Sequence, residues 1–288
     1  MRNILLLCIV SFAFVAQSQN MNKEITTIHK YLDFESKNVS ARTIEVLLPP
    51  NYDANRKYPV LYMHDGQMLF DATITWNQQE WGVDEVVEQL IKENRIRPVI
   101  VVGVWFGDRY AEYMPNKPRK EIDTVERTDD RFKGEIVSDQ YLKFLVEELK
   151  PFIDDKYNTL SGTEDTFILG SSMGGLISCY AISEYPQVFG GAACMSTHWP
   201  ALEGVFLGYV EKNLPDPASH KIYFDYGTET LDSLYQPYQE KVDVMMKKRG
   251  YRQDKNWMTR KFEGAKHDEN AWRDRLHIPL EFMLGKKE

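Results

Sequence analysis

One short stretch, residues 166–175, constrains the fold of this chain more than any other. It reads Thr-Phe-Ile-Leu-Gly-Ser-Ser-Met-Gly-Gly, and an apolar helix-like segment follows it from Leu176. Gly-x-Ser-x-Gly between a strand and a helix is typical of a nucleophile elbow, a turn so tight that the residues flanking the serine carry no Cβ. Ser172 has glycine two residues before and two residues after it, whereas Ser171 does not. We therefore predict Ser172 as a nucleophile.

The rest of the chain alternates strand-like and helix-like segments around this elbow. Runs at 25–34 and 41–48 predict an antiparallel pair. Strands are then predicted at 58–64, 99–104, 166–169, 189–196, 221–226 and 258–262, and helices at 81–96, 141–153, 234–249 and 269–284. This order predicts an α/β fold with a mostly parallel central sheet, helices on both faces and antiparallel N-terminal strands. In such a sheet the chemistry lies at the carboxyl ends of the strands.

The first eighteen residues have the pattern of an export signal. Arg2 precedes an apolar run over 4–16, and Ala16-Gln17-Ser18 forms a small-residue cleavage site. The run is too short for a comfortable membrane span. We expect a signal peptide over 1–18, a single domain over 19–288, and a periplasmic or secreted location.

The net charge, the cysteines and the absence of known ligand motifs limit which partners and cofactors the chain is expected to bind. The net charge of −8 argues against a nucleic-acid or anionic-membrane partner. Beyond the signal, Cys179 falls in a predicted helix and Cys194 in a predicted strand, which favours two buried free thiols over a disulfide. The chain has no zinc motif, phosphate loop or dinucleotide fingerprint, so we expect no metal and no cofactor. The sequence leaves the oligomeric state open.

A serine nucleophile needs a base and a carboxylate that orients the base. Of the six histidines, His267 lies just past the last predicted strand and before the last helix, and we predict it as the base. The loop after the strand at 221–226 supplies the acid, since α/β-hydrolases use the order serine, acid, histidine. Asp232 is slightly preferred because it begins a helix, and Glu229 is a close second.

Two further sets of residues complete the predicted site. The backbone amide of Met173 follows the nucleophile, and that of Gln67 lies in the turn after the first central strand, so both are predicted oxyanion donors. Aromatic residues at or beyond strand ends predict a substrate cleft: Trp105, Phe106, Tyr110, Tyr113, Trp199 and Tyr235. The predicted substrate-binding residues are Trp105, Tyr113, His198 and Trp199. The long polar stretch 109–134 is predicted to be a binding loop or mobile.

The pattern resembles the Putative esterase family of α/β-hydrolases, which includes esterase D, enterobactin esterase, feruloyl and acetyl xylan esterases, and mycolyltransferases. The resemblance covers 41–285. It rests on Pro-Pro-Asn-Tyr at 49–52, Leu-Tyr-Met-His-Asp-Gly-Gln at 61–67, the elbow at 170–175, Asp-Tyr-Gly-Thr at 225–228, and Gly-Ala-Lys-His at 264–267 followed by Trp272. It places the family's serine on Ser172 and its histidine on His267, whereas the usual acid position is Thr230.

The resemblance implies no metal or organic cofactor and ester substrates with sugar, siderophore or small acyl groups. We therefore hypothesise an exported serine carboxylic-ester hydrolase that acts on acylated carbohydrate or a similar small ester. One alternative is acyl transfer to a sugar or lipid acceptor. The other is a catalytically inactive carbohydrate-binding protein that retains the fold.

Overall fold

A computed structural model describes residues 26–125 and 130–286, so the predicted signal peptide lies outside the described residues. The described strands form one sheet of eight, in the order β1-β2-β4-β3-β5-β6-β7-β8. The strands are β1 Thr27–Phe34, β2 Arg42–Leu48, β3 Val60–Met63, β4 Ile100–Val104, β5 Thr166–Ser171, β6 Gly191–Met195, β7 Lys221–Gly227 and β8 Trp257–Phe262. The helices are α1 Val83–Lys92, α2 Arg109–Tyr113, α3 Arg119–Thr124, α4 Ser138–Lys143, α5 Lys150–Lys156, α6 Met173–Glu184, α7 Leu207–Asn213, α8 Gln236–Arg249, α9 Glu269–Arg275 and α10 His277–Leu284.

The direction of the strands follows the predicted pattern. β1 pairs with β2 and β2 with β4 in antiparallel fashion, and all pairings from β4 through β3 to β8 are parallel. The carboxyl ends of β3 to β8 therefore meet at one edge of the sheet. This confirms the predicted α/β fold and brings the turns after β3, β4, β5, β6, β7 and β8 together.

Helices cover both faces of the sheet, and the two-residue period of the strands divides the core between them. In β3, Val60 and Tyr62 pack into the larger apolar cluster, while Leu61 and Met63 pack into the other. The larger cluster includes residues of α4 to α8, and the smaller one residues of α1, α9 and α10. Strands buried on both faces explain the continuous apolar runs of the sequence.

Three segments differ in detail from the predictions. The helix predicted at 141–153 is longer, because α4 continues through a π-helical stretch, Phe144–Leu149, into α5. The helix predicted at 269–284 is divided into α9 and α10, since Pro279 has no N–H to donate to the carbonyl of Arg275. The polar stretch 109–134 contains α2, α3 and a 3₁₀ turn at Asp130–Phe132, whereas residues 126–129 are outside the described part.

Cys179 on α6 and Cys194 in β6 are both fully buried free thiols, as predicted. Burial, followed by the neighbouring Cys179, raises the pKa of Cys194 well above its ordinary value. Within the described ranges, the structure has no helix with the length and apolar character that crossing a membrane requires.

Candidate active site

The turn between β5 and α6 holds Ser172 in an uncommon backbone conformation. Its φ is 57° and its ψ is −120°, a backbone region that residues other than glycine rarely adopt. A Cβ on Gly170 would lie 2.7 Å from the carbonyl carbon of Gly174, so the two glycines allow the chain to fold back on itself. The amide of Ser172 donates to Met195 O at 3.0 Å, and this bond ties the turn to β6. The serine is thus held at the apex between strand and helix.

His267 and Asp232 are in direct contact. His267 lies between β8 and α9, and its Nδ1 is 2.5 Å from Asp232 Oδ1. Asp232 is 1% exposed and lies in the 3₁₀ turn Thr230–Leu234 after β7. His267 and Ser172 line the same cleft. Because Asp232 occupies Nδ1, Nε2 is the ring nitrogen left to meet a second partner.

Glu229, the other candidate acid, is exposed and does not line this cleft. Its backbone amide donates to Ala265 O at 3.0 Å, which holds the loop after β7 against the loop that carries His267. Thr230, at the position where the resemblance expects an acid, uses its Oγ1 to accept the His267 amide at 2.8 Å. A hydroxyl therefore anchors the backbone of His267, while a carboxylate two residues later reaches its ring.

The contact between these two loops depends on Gly227 at the end of β7. A Cβ there would lie 2.2 Å from Ala265 O, too close for any other residue. The Gly227 amide donates to Asp232 Oδ2 at 2.6 Å. Glycine at this position therefore allows the loops to meet and also gives the carboxylate a donor.

A buried network behind Asp232 was not foreseen from the sequence. Ser196 Oγ donates to Asp232 Oδ2 at 2.5 Å and accepts from Arg275 Nη2 at 2.7 Å and Trp272 Nε1 at 3.0 Å. Arg275 also forms a two-pronged ion pair with Asp225, at 3.1 and 3.2 Å. Burial raises the pKa of Asp225, against the charge of Arg275 and the donors that lower it. The sequence feature that could have pointed to this network is Arg275, a charged residue on the inner face of the helix predicted at 269–284.

A tyrosine and a second histidine lie beside the serine. Tyr235 is fully buried, and its hydroxyl is 2.7 Å from His198 Nδ1 and interacts with the Ser172 side chain. Burial, followed by the charge of Asp232, raises the pKa of Tyr235, so the phenol stays neutral at physiological pH. The His198 amide donates to Ser172 O at 3.1 Å. Of the predicted substrate-binding residues, His198 lines the cleft.

The turn after β3 carries the predicted oxyanion donor, Gln67, in a 3₁₀ turn Gly66–Met68. The amides of Met68 and Leu69 donate to Asp65 O and Gly66 O, at 2.8 and 3.3 Å, and are therefore already engaged within the protein. The other predicted donor, Met173, is the first residue of α6, so its N–H has no carbonyl four residues before it within the helix. The Gln67 side chain is not among those that line the cleft.

Arg109 clamps the residue before this turn. Its Nε and Nη2 donate to the two carboxylate oxygens of Asp65 at 2.6 and 2.8 Å. Asp65 has a left-handed φ of 57°, and its amide donates to the Tyr113 hydroxyl at 3.1 Å. The sequence placed Arg109 in a candidate binding loop without giving it a role. Its ion pair with Asp65 shows that this loop also supports the turn after β3.

The remaining predicted substrate contacts pack elsewhere. Trp105 donates its indole N–H to Glu45 at 2.9 Å and does not line the cleft. Tyr113 is fully buried under Asp65, and Trp199 is 1% exposed with its indole N–H bonded to Gln239 at 2.9 Å. Strand ends therefore carry both core and cleft aromatics, and periodicity does not separate them.

The cleft has a volume of about 540 Å³ and opens at the carboxyl edge of the sheet. Aromatic and charged side chains share its lining, among them Trp76, Trp81, Phe106, Arg109, Tyr110, Arg131, Asp268, Glu269 and Trp272. Within 26–125 and 130–286, no group of three or more histidine, cysteine or acidic side chains is arranged to hold a metal ion. The chemistry that this arrangement offers is nucleophilic, through a serine, an imidazole and a buried carboxylate.

A serine at a strained elbow and a histidine bonded to a carboxylate, at the carboxyl edge of this sheet, define an α/β-hydrolase. Comparison with known structures agrees. An IroE-like serine hydrolase from Shewanella oneidensis has a TM-score of 0.69 at 18% identity, over 89% of this chain and 79% of that one. A ferulic acid esterase from Anaeromyces mucronatus, solved with ferulic acid, has a TM-score of 0.61 at 21% identity, over 92% and 93% of the two chains.

The sequence comparison identifies the family. The model of the Putative esterase family matches residues 38–282, and the chain belongs to that family. An uncharacterized protein of Bacillus subtilis (strain 168), YbbA, is 24% identical over 255 residues, which cover 85% of this chain and 93% of YbbA. The chain is a carboxylic ester hydrolase, as the resemblance implied.

Proposed function

We propose that this ester hydrolase works through an acyl-enzyme on Ser172, with His267 as general base and Asp232 as the carboxylate that orients it. The observation that carries the proposal is the 2.5 Å contact between His267 Nδ1 and Asp232 Oδ1, in the cleft that Ser172 also lines. A buried carboxylate in this position holds the imidazole in one tautomer and stabilises its charged form.

The proposed reaction has two halves. In the first, Ser172 Oγ attacks the ester carbonyl carbon while His267 Nε2 takes the hydroxyl proton; the bond to the alcohol then breaks, and the proton passes to the leaving oxygen. In the second, water loses a proton to Nε2 and attacks the acyl carbon. The carboxylic acid departs, and the proton returns to Ser172 Oγ.

Two backbone amides are proposed to stabilise the oxyanion of each tetrahedral intermediate. Met173 offers the first N–H of α6, where the helix dipole also favours negative charge. Gln67 offers an N–H from the turn that Arg109 and Asp65 brace. Each such donor contributes about 3 to 4 kcal/mol to transition-state stabilisation in serine hydrolases.

The proposed substrate is an acylated carbohydrate or a similar small ester. Phe106 and Tyr110 supply aromatic surface in the cleft, which suits a flat or small acyl group. The ferulic acid esterase with the same fold, solved with ferulic acid, supports this class. We also propose that the protein is exported as a single domain. Sequencing of the mature N-terminus tests the export, with a start near Gln19 as the expected result.

Fluorophosphonate labelling together with ester hydrolysis tests the mechanism. The unmodified protein should label once and hydrolyse p-nitrophenyl acetate or methyl ferulate, and Ser172→Ala should abolish both. Ser171→Ala is the matched control, because this serine is adjacent in sequence but lacks the flanking glycines. Labelling that survives Ser172→Ala, or a natural protein that neither labels nor turns over, would contradict the proposal.

A further inference from the structure

Trp76 is the most exposed large apolar side chain among the described residues, at 84%, and it lines the cleft that holds Ser172. A single exposed apolar side chain is ordinary on a protein surface, but this one lines the cleft of the proposed nucleophile, where a bound molecule can cover it. Its ring packs into neither apolar cluster of the described core. The side chain is therefore available to a molecule that enters the cleft.

The turn that carries Trp76 is fixed from both sides. Before it, Asp71 Oδ1 accepts from the amide and the hydroxyl of Thr73 at 2.9 and 2.6 Å and caps a 3₁₀ turn, Ala72–Ile74. After it, Asn77 Nδ2 donates to Glu269 Oε2 at 2.7 Å. These bonds hold the backbone on both sides of Trp76, so less conformational freedom is lost when a ligand stacks on its ring than on a ring carried by a mobile loop.

The bond from Asn77 to Glu269 ties the turn that carries Trp76 to the start of α9, on the same side of the cleft as His267. Glu269 is the first residue of α9, two residues after His267. In the proposed mechanism His267 returns its proton to the leaving alcohol, so the wall beside His267 borders the alcohol part of the ester. Phe106 and Tyr110 also line the cleft but come from the segment after β4, and the proposed function assigns them to the acyl part.

Polar groups share the lining of the cleft with Trp76. Gln79 lines the cleft, and its buried Oε1 has no hydrogen-bond partner. Asn77, Asp268 and Glu269 line the same region. One aromatic face bordered by amide and carboxylate groups matches a sugar ring, which has an apolar face and a rim of hydroxyl donors. A fatty alcohol would leave Gln79 Oε1 without a partner.

We propose that Trp76 and Gln79 form a saccharide subsite for the alcohol part of the ester, in which a sugar ring stacks on the indole and a sugar hydroxyl donates to Gln79 Oε1. This inference rests on the proposed function, because it assigns the alcohol side from the role of His267. Trp76 and Gln79 would then distinguish a sugar ester from a simple alkyl ester.

The test compares two esters with the same acyl group: methyl ferulate and a feruloylated arabinoxylan oligosaccharide. Trp76→Ala should raise KM for the oligosaccharide ester about tenfold, with kcat unchanged, and should leave both constants for methyl ferulate within twofold. Trp76→Phe should restore most of the affinity. Val244→Ala, an exposed apolar side chain on α8 outside the cleft lining, is the matched control and should change neither substrate.

Equal effects of Trp76→Ala on both esters, or no effect on either, would overturn the subsite. A second measurement separates it from the proposed mechanism: titration of Ser172→Ala protein with the unesterified oligosaccharide. Binding that disappears in the Ser172→Ala, Trp76→Ala double variant supports the subsite even if the catalytic assignment fails. Absence of binding while the natural protein still hydrolyses methyl ferulate overturns the subsite and leaves the mechanism standing.

Discussion

Asp232 Oδ1 lies 2.5 Å from His267 Nδ1, across a separation of 35 residues. The other oxygen of Asp232 accepts from Ser196 Oγ and the Gly227 amide, at 2.5 and 2.6 Å. Both carboxylate oxygens are thus directed by donors, which fixes the plane in which the imidazole is held. The exposed Glu229 three residues earlier makes no such contact in this cleft.

Asp232→Asn should lower kcat about 10³-fold to 10⁴-fold, because an amide cannot stabilise the imidazolium and can favour the wrong tautomer. The measurement is steady-state hydrolysis of p-nitrophenyl acetate. Glu229→Gln is the matched control and should retain activity within twofold. A loss of similar size in the Glu229 variant, with Asp232→Asn active, would assign the acid to the other carboxylate.

Arg275→Met should destabilise the protein by about 3 to 5 kcal/mol, because it leaves Asp225 buried without its cation. Urea unfolding measures the change in the free energy of unfolding. Arg273→Met on the same helix is the control: Arg273 is partly exposed and pairs with Glu80 and Glu85 at 3.4 and 3.6 Å, so its loss should cost under about 1 kcal/mol. Similar costs for both variants would argue against the buried network as a source of stability.

Gly66→Ala should lower kcat about 100-fold with a smaller effect on KM. A Cβ on Gly66 would lie 2.6 Å from Trp105 Cδ1 and 2.8 Å from the carbonyl carbons of Gly103 and Val104, so the turn with Gln67 must shift. Loss of one oxyanion donor has an effect of this size. Gly208→Ala in α7, where a Cβ would meet nothing within 4 Å, should leave kcat unchanged. Full activity of Gly66→Ala would remove this turn from the catalytic proposal.

The unfolding free energy should fall by about 1.6 kcal/mol between pH 6.5 and pH 5 because of His64. Burial, followed by the charge of Arg109, lowers the pKa of His64 to about 3. Over this range the unfolded chain binds a proton on His64 and the folded chain does not, so stability decreases as the pH falls toward 3. Urea unfolding at the two pH values measures the effect.

His64→Asn should make this pH dependence smaller by the same amount. Tyr141→Phe is its control: it removes the hydroxyl 2.9 Å from His64 Nδ1 but keeps the imidazole buried, so the slope should persist. An unchanged slope in His64→Asn would assign the acid sensitivity to other groups.

Local patterns are sufficient to predict the succession of strands along the chain, the elbow at Ser172 and the position of His267 after the last strand. Apolar runs predict buried strands, and a serine between glycines needs a tight turn. The tertiary contacts favour Asp232 over Glu229 as the proposed acid, because only Asp232 of the two is buried and reaches the imidazole of His267. Both follow the same strand, and the choice depends on how the loop packs against Ala265 and Gly227.

The tertiary structure alone also placed Arg275, Arg109 and Trp76. Arg275 contacts Asp225, 50 residues earlier, and Arg109 contacts Asp65, 44 residues earlier, so neither partner can be read from local spacing. Trp105 and Trp76 are equally apolar in sequence, yet the first is packed beside Gly66 and the second faces the cleft. The burial of a side chain at a strand end depends on which other segments pack over it. Those segments are distant in sequence, so local patterns do not predict the burial.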